Sequence, residues 1–145
     1  MSTRPRNSCP AGLSRRKVLI GAAAVAAAGL PAVPVQDAAE ISIRAEAAIL
    51  GIVRNRAAAT ALGNAALASR PELGDRKTLL GDMLNDLGMD SDTLARARTA
   101  DIAGRLSAQI RDDFGNARTL MLDGWVLSLA ETRLYALAAL AARNG

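Results

Sequence analysis

From Glu40 to Ser69 apolar and polar positions recur with a helical period. Ile41, Ala45, Ala48, Ile49, Ile52, Val53 and Ala57 share one side, while Arg44, Glu46, Arg54 and Arg56 lie largely on the other. Gly51 and Gly63 each weaken a helix by about 1 kcal/mol relative to alanine, so the stretch reads as one bent helix or two segments. Arg70-Pro71 ends it, because proline drives its predecessor out of the helical region. A second helix is predicted over Asp75 to Leu87, with Leu79, Leu80, Met83, Leu84 and Leu87 as its stripe and Gly88 in the position after its end. A third starts with Ser91 or Asp92 as N-cap and runs to about Asp113, carrying Ile102, Leu106, Ile110 and Phe114 at four-residue spacing.

After Gly115-Asn116 the period changes. Arg118-Thr119-Leu120-Met121-Leu122 and Trp125-Val126-Leu127 flank Asp123-Gly124, a strong hairpin signal because a type I′ turn needs two residues with positive φ. Ser128-Leu129-Ala130-Glu131 has the form of a capping box, in which the Ser128 hydroxyl accepts from the Glu131 amide and the Glu131 carboxylate accepts from the Ser128 amide. The last helix then runs from Leu129 to Ala142, with Leu134, Tyr135, Leu137, Ala138 and Ala141 apolar nearly all round, the mark of a buried helix. The pattern predicts a mainly α fold: a small helical domain of three to four helices with one short β-hairpin before the last helix. It spans 37–145 and includes a C-terminal hairpin-helix block over 112–142.

Composition adds a constraint on the core. Alanine occurs 32 times, whereas Phe, Trp and Tyr occur once each, so few large side chains are present to fill an interior. No histidine is present and Cys9 is the single cysteine, which excludes Ser-His-Asp and Cys-His catalysis and the common Cys/His zinc sites. The chain reads as a non-enzyme without a cofactor. Its net charge of +4 is unevenly placed. Up to Gln36 there are five bases and no acid; the other thirteen bases face all fourteen acids, leaving the remainder near −1. A basic patch for nucleic acid is therefore not expected in the folded part.

The basic start, the 13-residue apolar run Val18 to Leu30 and the stretch Pro31-Ala32-Val33-Pro34-Val35 have the order of a secretory signal. Ser14-Arg15-Arg16-Lys17-Val18-Leu19 resembles the twin-arginine (Tat) export motif, with Val18 where the motif has Phe and Ile20 where it has Lys. The run is rich in alanine and glycine and only mildly apolar, as Tat signals are. Arg15, Arg16 and Leu19 are the residues that the translocase would read, over a signal assigned to 1–36. The resemblance implies transient membrane contact during export and delivery to the periplasm. Imperfect cleavage sites lie at Leu30/Ala32 and Asp37/Ala39, and an uncleaved run would act as an anchor. Arg15-Arg16 can also be read as the positive start of an ordinary Sec signal.

All three aromatics, Phe114, Trp125 and Tyr135, fall near the C-terminus, in and just after a D-F-x(3)-R-x(4)-D-G-W-x-L-S-x(2)-E-x-R arrangement. This is similar to the C-terminal block of small Tat-exported proteins, and the similarity implies no activity. Trp125 is either a core anchor between hairpin and helix or an interface residue, since Trp and Arg dominate binding energy. Arg118 and Arg133 are either solvated or paired with Asp112 or Asp113, or they contact an anion or a partner. Adjacent aspartates on a helix point about 100° apart, so Asp112-Asp113 is not expected to form a shared acid/base or calcium site; Asp123 is assigned to the turn with Gly124, and Ser128 and Glu131 to the cap. Two readings follow. In one, the chain is an exported accessory or small subunit docked onto a larger redox or hydrolytic enzyme, similar to the signal-bearing small subunits of exported dehydrogenases. In the other, it is a free-standing periplasmic binding module for a small apolar or anionic ligand.

Overall fold

The computed structural model describes residues 35–144. Among them are six α-helices, one short 3-10 turn and one hairpin, which matches the mainly α fold with a hairpin before the last helix. The expected export signal, including Arg15, Arg16 and Leu19, and Cys9 lie outside the described residues.

The long first pattern is two helices, α1 (Val35–Leu50) and α2 (Arg56–Ser69). The break falls at Gly51, and Asn55 starts α2 by accepting a hydrogen bond from the Ala58 amide at 3.0 Å. Gly63 lies inside α2 and breaks nothing. Its role is packing: a Cβ added there would lie 1.9 Å from the Tyr135 carbonyl oxygen on α6 (Leu129–Arg143). Such proximity requires small side chains on both helices. Ala59, Gly63 and Ala66 on α2 are buried, as are Ala136 and Ala139 on α6, so two helices with small facing side chains approach backbone to backbone and need few large ones.

Arg70-Pro71 ends α2, and Pro71–Gly74 forms the 3-10 turn, burying Leu73. Helix α3 (Arg76–Leu87) starts where Asp75 accepts from the Lys77 amide and the Thr78 hydroxyl, and closes at Gly88 in the left-handed conformation, as predicted. The third predicted helix is corrected in two respects. Its N-cap is Asp90, accepting from the Thr93 amide at 2.7 Å, and the helix divides into α4 (Ser91–Arg96) and α5 (Thr99–Gly115) through extended Ala97 and Arg98. The division has a packing reason: α4 packs mainly on α1 and buries Leu94, whereas α5 packs on α6 and α3 and buries Ile102 and Leu106. Phe114, expected on that buried stripe, is exposed; the neighbouring Asp113 is the buried residue.

Strands β1 (Thr119–Leu122) and β2 (Trp125–Ser128) pair antiparallel, with Leu122 opposite Trp125, Met121 opposite Val126 and Leu120 opposite Leu127. Asp123 and Gly124 form the turn with φ of 48° and 83°. Helix α6 is central, touching α1, α2, α3, α5 and both strands, and it buries the consecutive residues Ala136 to Leu140, which together go all round the helix. Its lack of a polar face is thus explained by its neighbours. No helix among the described residues is long and apolar enough to cross a membrane.

Candidate functional site

Antiparallel partners share a face, so Leu120, Leu122, Trp125 and Leu127 lie on one side of the hairpin and Met121 and Val126 on the other. Leu122 and Leu127 are buried, yet Trp125, beside the turn, is 67% exposed. The core-anchor reading of Trp125 is thereby excluded. Met121 is 70% exposed, and Val126 and Phe114 are about half exposed. Four of the large apolar side chains that meet solvent are thus gathered within thirteen residues, on the hairpin and at the end of α5. Scattered single cases are ordinary; a concentration on one small element is not.

The base of the hairpin is held by charge. Asp113 is 1% exposed and accepts from Gln109 Nε2 at 3.0 Å, Arg118 Nε at 2.9 Å and the Ala130 amide at 2.8 Å. Arg118 also donates through a terminal nitrogen to Asp112, so one planar guanidinium spans both adjacent aspartates. The two carboxylates do meet at one group, although their side chains leave the helix in different directions. Hydrogen bonds to Asp112 and then to Asp113 hold the Arg118 guanidinium in its charged form, raising its pKa. Arg118 therefore fastens the strand to the helix end, and about two fifths of its side chain remains in contact with water.

The N-terminus of α6 is saturated. The Leu129 amide donates to the Arg118 carbonyl, the Ala130 amide to Asp113, and the Glu131 amide to the Ser128 hydroxyl, while the Ser128 amide donates to Glu131 in return. Ser128 and Glu131 form the capping box, and no free amide is left there to hold an anion.

Arg133 belongs elsewhere. Its side chain is 17% exposed and lies between Asp86 at 2.5 Å and Asp82 at 3.1 Å, both on α3. It ties α6 to α3 and does not pair with Asp112 or Asp113. Of the three residues grouped as a contact surface from sequence, Trp125 is open, Arg118 supports it from below, and Arg133 is a clamp within the helical core. Met121, Val126 and Phe114 were missed as surface residues. Strict alternation would have placed Met121 outside, but helical spacing assigned Phe114 to the core.

Among the described residues no three Asp, Glu, His or Cys side chains gather as metal ligands would. The geometry is that of an apolar hairpin tip mounted on a charged base. No protein-family model matches the chain, and no curated protein or solved structure is significantly similar to it.

Proposed function

We propose that this chain is an exported accessory or small subunit that docks onto a larger periplasmic enzyme, redox or hydrolytic, through the tip of its hairpin. One observation carries the reading: Trp125, Met121 and Val126 stand in solvent on a hairpin whose base is fixed by Asp113 and Arg118. A mounted aromatic side chain loses little conformational freedom on binding, and a tryptophan at the centre of a desolvated contact commonly supplies a large share of the affinity. The Ser14-Arg15-Arg16 pattern supports export through the Tat translocase.

The test is capture of the larger subunit from periplasm by tagged wild-type and Trp125→Ala chains, followed by mass spectrometry. Wild type is expected to retain one large exported protein and the variant to lose it while keeping its helical circular dichroism. Retention of every captured protein by the folded variant would remove the hairpin from the contact. Export itself is expected to fail in the double variant Arg15→Lys and Arg16→Lys; continued delivery that responds to Sec inhibition would replace the Tat assignment.

A further inference from the structure

A groove of about 350 Å³ lies between the first turns of α2, one face of α5 and the start of α6, away from the hairpin. Its apolar lining includes Ile52, Leu62, Leu106 and Leu134, and Ala58 and Ala103 leave room above them. Arg54 is the one charged residue in the lining, and no Asp or Glu borders the groove. Among the described residues Arg54 has no ion-pair partner, unlike Arg76, Arg98, Arg118 and Arg133. It precedes the N-cap Asn55, while Leu62 lies two turns into α2. Seven residues at the helical rise set Leu62 about 10 Å along the axis from the N-cap Asn55. A cation thus stands at the α2 start and apolar side chains continue along the helix. Tyr135 and Ser107 also line it, the Ser107 hydroxyl donating to the Ala103 carbonyl at 2.8 Å.

We infer that this groove binds a free monocarboxylate with a short alkyl or aromatic body, its carboxylate on Arg54 and its body against Leu62, Leu106 and Leu134. The charge of the lining selects the ligand class. A single guanidinium presents two parallel donors to a carboxylate, an ammonium would meet it unfavourably, and an alcohol would leave the fork without its anion. The neighbouring groove along α1, α2 and α6 has only Arg56 as a charged residue, and that guanidinium is tethered by one hydrogen bond, 3.4 Å long, to the Leu50 carbonyl.

The experiment is a titration of the ¹⁵N-labelled full-length chain with octanoate, 1-octanol and octylammonium, followed by amide chemical shifts. Octanoate is expected to move amides in 52–62, 103–107 and 134–135, and to bind roughly tenfold tighter than 1-octanol. Arg54→Gln should bring the two affinities together. Ala58→Trp, at an exposed position, should reduce both. Equal affinity for octanoate and 1-octanol in wild type, equal or tighter binding of octylammonium, shifts centred outside the groove, or shifts seen only when octanoate forms micelles would each overturn the assignment. The groove shares no residue with the hairpin tip, so its failure would leave the docking proposal standing, and the reverse also holds.

Discussion

Arg118 and Asp113 face each other across the turn that leads from α5 into the hairpin, with Nε 2.9 Å from a carboxylate that is almost wholly buried. That carboxylate also accepts from the first turn of α6, so one side chain joins the end of one helix, the hairpin and the start of the next. Asparagine has one acceptor oxygen in place of two and turns an NH₂ toward donors. Asp113→Asn should therefore lower stability by about 2–4 kcal/mol in urea unfolding, and the exposed Asp112→Asn by less than about 1 kcal/mol. Equal costs for the two would show that burial of Asp113 is not what makes it matter.

Much of this arrangement was readable from residue order, because local rules dominate it. The hairpin turn, the capping box and the Gly88 helix end each depend on a few adjacent residues. The division at Ala97-Arg98 was not readable, since neither residue is a helix breaker and the cause is the burial of Leu94 against α1, a contact distant in sequence. The same holds for Arg133, whose partners Asp82 and Asp86 lie some fifty residues away. Spacing along one helix could suggest Asp112 or Asp113 but not a neighbouring helix.

The glycines within helices should separate by what surrounds them. At Gly63 an added methyl would meet the Tyr135 backbone and Ala139, neither of which can swing aside, whereas at Gly104 nothing lies within 4 Å. Gly63→Ala is expected to cost about 3 kcal/mol or more by forcing α2 from α6. Gly104→Ala should stabilise by about 0.5–1 kcal/mol, through a less disordered unfolded chain and better helix propensity. Thermal unfolding of both variants measures the contrast, and a tolerated Gly63→Ala would mean that the helices are not in backbone contact.

Acid should weaken the helix starts. Hydrogen bonds from Thr78 and the Lys77 amide lower the Asp75 pKa, and those from Thr93 lower that of Asp90. A carboxylate with a lower pKa folded than unfolded favours the fold while it is ionised. Its contribution is present above the ordinary value of about 3.9 and is lost as pH falls through the folded value. Stability should thus decline below about pH 4. Asparagine caps helices as well as aspartate but does not titrate, so Asp75→Asn and Asp90→Asn should make the decline shallower. An unchanged acid profile in the double variant would assign the decline to other groups.

Trp125 and Arg133 should respond oppositely. Trp125 is exposed, so truncation to alanine should change stability by less than about 1 kcal/mol, against the 3–5 kcal/mol typical of a buried tryptophan. Under the docking proposal its effect should fall on capture of a larger partner. Arg133→Met removes the charge that Asp82 and Asp86 share but preserves most of the side-chain length. Because both aspartates retain some access to water, the cost should be about 1–3 kcal/mol. Partner capture per folded molecule should be unchanged, since the clamp lies between α3 and α6. Denaturant unfolding and pull-down of both variants measure the two axes separately. A folded Arg133→Met chain that loses the partner would place the contact surface on the helices instead of on the hairpin.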